Sequence, residues 1–435
     1  MIYTDIDVNY GIVLDDSSET QCGREHAGTL GSEFLILIMR NIAPSSSIFI
    51  TTENSTTVNI STSENLQSNL KSSIDQETFV NSAANIVLPQ EIQCNFFRKE
   101  PKGILVRSQE PINVLVSDNN NPLIEFRVDT TTVIPVEKLD TSYIISSFDP
   151  STSHFAVAAS EDDTNITISL KISNNVAISI FGSTYRDMDT FVLSLDRLET
   201  FQFRAGADFS GTRIDSNKPV AVYSGTVCLT GGDGGCSPAL EQMPPISRLD
   251  DIFIVPPKFN AKVIRLMSPE NATVQISKGN ATQSREIYQS VPFDIPIVDD
   301  ECIVIESESS ILVTMVAFEL TPGPFIATVP GINQYLTRYK VFVAEGYPIS
   351  FVAIMIETEA KNCLVLNNQP IMTNAIFHEK QVLVGCISYT LMIVEFKDGE
   401  LIVESEKTPF GLMVYGQNTF DGHGFAGNVI SSLLC

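Results

Sequence analysis

The chain has no tryptophan, four histidines, and only 27 basic residues against 52 acidic ones. Each shortage removes a class of function. A net charge of -25 makes nucleic acid and anionic membrane surfaces poor partners, because a phosphate-binding face needs clustered lysine and arginine. Without tryptophan, the large ring on which sugars are commonly stacked is missing, which weakens a lectin reading and leaves tyrosine as the substitute. His26, His154, His378 and His423 stand far apart and in no metal-ligand spacing. No Gly-x-Ser-x-Gly elbow and no glycine-rich phosphate loop ahead of a helix occurs, so an enzyme reading has little to work with. Long hydrophobic runs are also missing: residues 34–39 are apolar but Arg40 closes them, far short of the roughly 18 to 20 residues that span a bilayer. The first residues carry Asp5 and Asp7 where a signal peptide would be basic and then apolar, so either a signal has been removed or the chain is a piece of something longer.

What is present is the composition of a packed globular protein, 43% apolar and 18% charged with 24 glycines and 22 prolines. At 435 residues the chain exceeds one ordinary core and must be repetitive or divided. Helical periodicity is nearly absent. Alternating β-branched segments bounded by Asn, Asp, Gly, Pro and Ser recur instead, which predicts an all-β protein. The clearest strands are residues 47–51, 103–107, 190–194, 220–223 and 341–343, and the polar stretch 63–76 is expected to be a surface loop or short helix.

Two kinds of turn alternate along the chain. Type A is an acidic or Asn turn followed by an alternating strand: Glu53-Asn-Ser-Thr-Thr-Val-Asn-Ile60, Asp162-Asp-Thr-Asn-Ile-Thr-Ile168, Glu270-Asn-Ala-Thr-Val-Gln-Ile276 and, more weakly, Glu359-Ala-Lys-Asn-Cys-Leu-Val-Leu366. Type B has a Ser and usually a Pro before the next strand: Ser108-Gln-Glu-Pro-Ile-Asn-Val114, Ser216-Asn-Lys-Pro-Val-Ala-Val222, Ser307-Glu-Ser-Ser-Ile-Leu-Val313 and Ser405-Glu-Lys-Thr-Pro-Phe410. Read as hairpins, they recur with a period of roughly 50 residues, the size of one propeller blade. With no proline- or glycine-rich linker between units, a single β-propeller-like region over residues 1–435 is the preferred expectation. The alternative is tandem β-sandwich domains at 30–120, 121–228, 229–320 and 321–427, one type A plus one type B turn in each.

The eight cysteines have no zinc-binding spacing, which favours disulfides. Cys228 and Cys236 flank a glycine-rich loop pliable enough to bring them together, and Cys363 with Cys386 could close a longer hairpin; the alternative is buried free thiols. Five Asn-x-Ser/Thr sequons, at Asn54, Asn59, Asn165, Asn271 and Asn280, point with them to the secretory route. No cofactor is expected. Calcium at Glu161-Asp162-Asp163 or Asp299-Asp300-Glu301 is the alternative to plain solvated turns, and Gly231-Gly-Asp-Gly-Gly235 is read as a disulfide-closed turn.

The densest stretch of motifs is Gly211-Thr-Arg-Ile-Asp-Ser216-Asn-Lys-Pro219-Val-Ala-Val-Tyr-Ser-Gly225, then Cys228, Cys236, Glu241-Gln242-Met-Pro244-Pro245 and Asp251-Ile-Phe-Ile-Val-Pro-Pro257. It resembles the IgGFc-binding protein N-terminal domain family. Further likenesses are Gly31-Ser-Glu-Phe-Leu35, Thr164-Asn-Ile-Thr-Ile168, Phe410-Gly-Leu-Met-Val-Tyr-Gly416 and Gly424-Phe-Ala-Gly427. Family members usually carry Asp-His after the second cysteine and Trp-Gly after the prolines, where this chain has Ser237-Pro238 and Arg248-Leu249-Asp250. The resemblance implies a secreted or surface-displayed, non-enzymatic module of mucus or extracellular matrix, with immunoglobulin Fc or glycoproteins as partners and further domains in a longer parent chain. The alternatives from other classes are a propeller hydrolase or lyase, and a glycan-binding lectin.

Overall fold

The computed structural model describes residues 28–41, 45–119, 128–148, 152–230, 236–257, 261–297, 302–317, 325–343, 349–374, 376–417 and 422–430. The protein is all-β. Four units of one plan follow one another, the first three each built on one curled antiparallel sheet of seven or eight strands and the fourth on two sheets of four and five. A unit starts with an opening strand: Gly31–Ile36, Asp140–Ile144, Asp250–Val255 or Arg338–Val343. A second strand follows, Ser45–Thr52, Ser153–Ala159, Ala261–Met267 or Ile349–Glu357. The chain then turns into a third, Thr56–Thr62, Thr164–Ser169, Ala272–Lys278 or the short Val365–Leu366. The expected type A turns lie at this corner. In the third strands burial alternates strictly, as in Thr164–Ser169, because one face meets the core and the other meets water. The polar stretch after the first of them contains the helix Ser68–Ile74.

The type B segments are not hairpins. They are bends inside long strands, Ile104–Asn119, Arg213–Thr230 and Ile303–Ala317, while the fourth copy is split into Gly399–Glu404 and Phe410–Gln417 around Pro409. In the first unit Val106 pairs with Phe34 and Ile60 in one half of the sheet, and Val116, ten residues on, pairs with Ile48 and Thr131 in the other half. One bent strand therefore joins both halves. At the bend the register skips, as between Asp215 and Val220, so Pro219 removes no ladder bond. The Ser216 hydroxyl donates to the Lys218 carbonyl at 2.7 Å and the Ser108 hydroxyl to the Glu110 carbonyl at 2.6 Å, a local turn that satisfies the carbonyls the ladder leaves out. The structural repeat is therefore the type A plus type B pair. Sandwich-like units of about 100 residues fit it, as the alternative expectation had it, and 50-residue blades do not.

Each unit closes with a strand beyond its bend: Val128–Thr132, Cys236–Gln242, Phe325–Thr328 and Gly422–Ala426. The provisional divisions after residues 120, 228 and 320 fall ahead of the closing strands of the first three units. Between units runs a proline or glycine and a single 3₁₀ turn, Val136–Lys138, Ile246–Arg248 and Ile332–Gln334, a joint too short for independent domains to swing on. The four closing strands touch in cyclic order, the first against the second and the fourth, the third against the second and the fourth. The units thus form a closed ring.

Packing agrees with closure. The largest apolar cluster contains Phe34 of the first unit, Tyr223 of the second, Phe253 of the third and Tyr415 of the fourth. At the last seam, Phe49 stacks on Phe342 with ring centroids 5.1 Å apart. The Lys340 ammonium donates to the Thr52 carbonyl at 2.7 Å, the Thr51 hydroxyl to the Lys340 carbonyl at 2.8 Å, and the Thr29 hydroxyl to the Gly427 carbonyl at 3.3 Å.

Candidate functional site

Two of the family-motif residues, Glu241 and Gln242, meet the neighbouring units at the ring centre. Glu241 lies on the closing strand of the second unit and is buried. One carboxyl oxygen accepts the Thr131 hydroxyl of the first unit at 2.8 Å, and the other accepts the Thr328 N–H of the third unit at 2.8 Å. Beside it, the Gln242 side-chain oxygen accepts the Ile134 N–H at 2.8 Å, and the Gln242 N–H donates to the Thr131 hydroxyl at 2.9 Å. Pro244 and Pro245 follow directly, the Pro245 carbonyl accepting Arg248 N–H to make the 3₁₀ joint. Burial raises the Glu241 carboxyl to about 7 against the pull of these hydrogen bonds. Asp118, fully buried near the end of the first long strand, is likewise raised to about 7 although Ser46 and Asn41 donate to it. Both carboxyls are sealed from solvent.

The other motif residues serve seams and bends. Gly211 sits at φ +94°, where a Cβ would lie 2.0 Å from the Ser290 carbonyl oxygen of the third unit, so only glycine fits. Arg265, missed at the level of sequence, is 5% exposed and joins the second and third units: it reaches Asp294 at 2.7 Å, Asp208 at 2.6 Å and Ser210 at 2.8 Å. Its one legible sign is an arginine inside an alternating apolar strand.

The cysteines divide. Cys94 and Cys302 are buried free thiols, whereas Cys363 and Cys386 are exposed and unpaired, so the expected Cys363 to Cys386 bridge is not formed. Cys363 ends a 3₁₀ turn and Cys386 sits in the tip between Ile376–Val384 and Ile387–Phe396; they belong to different elements rather than to one hairpin. The strands carrying Cys228 and Cys236 do pair, Thr230 opposite Cys236, but both side chains lie outside the described residues, as do Gly231–Gly235, Asp299–Asp300, Glu301, Cys22, Cys435 and His26. All five sequon asparagines, Asn54, Asn59, Asn165, Asn271 and Asn280, are exposed.

The acidic turn Glu161-Asp162-Asp163 is occupied by its own protein: Lys218 donates to the Asp162 carbonyl at 2.6 Å, and the Asp162 carboxylate accepts the Arg197 N–H at 3.0 Å. Among the described residues no group of three or more His, Cys, Asp or Glu could hold a metal. A cleft of about 530 Å³ between the third and fourth units is lined by Ser277, Asn280, Cys302, Lys380 and Ser388 and, among the described residues, by no carboxylate; another, of about 520 Å³ in the third unit, has Asp294 as its one described carboxylate.

A sequence model described as IgGFc binding protein matches residues 129–416, from the first closing strand to the last long one. The chain belongs to that family. The human IgGFc-binding protein is 21% identical over 320 residues, which are 70% of this chain and 6% of that protein, so the chain spans a small part of the length of the curated relative it matches. Membership supports a binding module. No helix among the described residues is long and apolar enough to cross a membrane.

Proposed function

We propose that the chain is a secreted, non-enzymatic protein-binding module acting in mucus, extracellular matrix or at a cell surface, with immunoglobulin Fc or a glycoprotein as partner. One observation carries the non-enzymatic part: among the described residues the three carboxyls with raised proton affinity, Glu241, Asp118 and Asp250, are all buried, whereas an acid or base must reach its substrate. The motif residues hold the units together, which leaves binding to the outer surface. The human relative's name supplies Fc as the first ligand to test.

Exposure of all five sequon asparagines supports the secretory route; the exposed thiols Cys363 and Cys386 give it no support. Binding is tested by passing human IgG Fc, Fab and a mucin over the immobilised chain. Saturable binding of Fc or mucin is the expected result, and none at micromolar concentration sinks the partner assignment. The compartment is tested by non-reducing peptide mapping of secreted material, where a bridged Cys228–Cys236 peptide and glycans on Asn54 and Asn271 are expected. Free thiols at 228 and 236 together with bare asparagines would reject secretion.

A further inference from the structure

The seam between the first two units gathers two arginines that no carboxylate pairs among the described residues. Phe96, half-buried, bridges to Gln202 of the neighbouring unit and is flanked by two exposed guanidiniums, Arg204 at 5.0 Å and Arg40 at 5.9 Å from its ring centroid. Both are in cation–π range. Neither has a carboxylate partner among the described residues, although acidic side chains outnumber basic ones nearly two to one in this chain. Among the described residues, the Arg40 side chain donates to the Asn95 amide oxygen alone, at 2.5 Å.

The hydrogen bonds behind the ring fix a further donor. The Arg40 N–H donates to Gln202 Oε1 at 2.9 Å, which orients that amide so that its NH₂ group faces His154 Nδ1 at 2.9 Å. Nδ1 must then accept, and the proton of the neutral ring sits on Nε2. His154 is 1% exposed, its Nε2 has no partner among the described residues, and its ring lies 6.5 Å from Phe96. Burial and the Arg204 charge hold the imidazole neutral, its proton affinity pushed down to about 3. His154 also stands directly across the strand pair from Arg204. An N–H dipole and two guanidiniums thus share one corner of the seam, where the neighbouring carboxylate, Glu100, is taken up by the Asn95 N–H at 2.6 Å and its side-chain amide at 2.7 Å rather than by either arginine.

We propose that the Arg40–Phe96–Arg204 surface is a docking site for a carboxylate side chain on an acidic protein segment. The planar guanidinium presents paired N–H donors that match a carboxylate edge; beside Phe96, Arg204 makes no side-chain hydrogen bond among the described residues and Arg40 spends one N–H group on Asn95. The charge of the rest of the molecule favours this choice. A net -25 repels polyanions such as nucleic acid or sulfated polymers, whereas a short acidic segment needs only one local cationic patch, and repulsion elsewhere confines it to that patch. His154 is a positioning residue here, holding Gln202 and through it the Arg40 backbone.

The inference rests on the protein-binding reading, but its test uses no native partner, so the two fail separately. The probe is a fluorescein-labelled hexapeptide of alternating Glu and Gly, titrated at low salt against the full chain and followed by anisotropy. The controls are its Gln-for-Glu counterpart and N-acetylneuraminic acid as competitor. The acidic peptide is expected to bind and the Gln peptide not to. The Arg40→Gln/Arg204→Gln double variant should bind at least ~10-fold more weakly, while Arg285→Gln, an exposed arginine of the third unit, should bind as the native chain does. Melting temperatures check that the variants fold. On the native chain, the acidic peptide should also shift the side-chain Nε–Hε resonances of Arg40 and Arg204, assigned through the single variants. The proposal is overturned by no binding, by equal loss in Arg285→Gln, by unmoved resonances, or by the sugar acid binding where the peptide does not.

Discussion

A carboxyl sealed at a junction of three units is a liability that rises with pH. The folded-state value of Glu241 is raised from 4.5 to about 7 and that of Asp118 from 3.8 to about 7, by burial in each case. Below about pH 3 both are protonated whether the chain is folded or not, and their contribution is fully present. Between roughly pH 4 and 7 the unfolded chain ionises first, so stability is lost as pH rises through the folded values, on the order of 3 kcal/mol for each. Asp140, Asp187 and Asp215, held below their ordinary range despite partial burial by hydrogen bonds and nearby cations, act oppositely and lose stability as pH falls below about 4. A melting temperature highest near pH 4 to 5 is the expected outcome, falling toward pH 8. In Glu241→Gln, which keeps an oxygen for the Thr328 N–H, the fall should be visibly shallower; an unchanged slope would mean that Glu241 is not ionising at the centre. A second residue-scale prediction concerns Tyr143, whose hydroxyl accepts the Asp140 N–H at 2.9 Å and donates to the Val220 carbonyl at 2.7 Å. Tyr339 makes the same corner in the fourth unit with Leu336 and Phe410, while Phe34 and Phe253 stand within the corresponding strands of the other two. Tyr143→Phe should therefore fold, at a loss of about 1 to 2 kcal/mol by chemical denaturation. Nothing in the residue order announces that Tyr143 bonds Val220, since the pairing exists only once the long strand has bent.

At the scale of elements, the positions of strands were legible and the nature of the bends was not. Ser-x-x-Pro looks like a turn because Ser and Pro do favour turns, and in sequence a tight turn and a register skip between two apolar runs leave the same mark. The fourth copy, with Pro409 between two separate strands, is the nearest to the hairpin that was expected. The joint between the second and third units shows how much weight falls on single positions. Gly211→Ala would place a methyl group against the Ser290 carbonyl at a φ that side chains avoid, and should cost at least about 2 kcal/mol. Arg265→Ala would strand Asp208 and the Ser147 carbonyl in a nearly dry seam and should cost about 3 to 5 kcal/mol. Arg265→Met, which keeps the apolar stem, should recover less than half of that. If both Arg265 variants melt like the native chain, the second and third units are not held by this network.

At the scale of the whole molecule, the repeat could be counted from the sequence but its closure could not, because closure depends on contacts between the first and last units. Phe49 and Leu115 of the first unit belong to the apolar cluster of the fourth, and Met267 and Leu312 of the third belong to that of the second. A fragment comprising the first two units would expose both seams at once, each with apolar side chains worth roughly 1.5 to 3 kcal/mol apiece when buried. It would also lose the Thr328 partner of Glu241 and the Lys340 contacts of Thr51 and Thr52. Units that can neither swing on their one-turn joints nor cover their own seams should fold together. The full chain is expected to melt in one cooperative transition and to resist limited proteolysis until that temperature, whereas a chain ending after Met243 should be digested at every temperature tested. Lys340→Met, which removes one seam contact and keeps the chain whole, should lower the transition without splitting it in two. A protease-resistant fragment ending near residue 243, or two separated transitions in Lys340→Met, would show four sandwiches that merely touch, and would return the ring to a string.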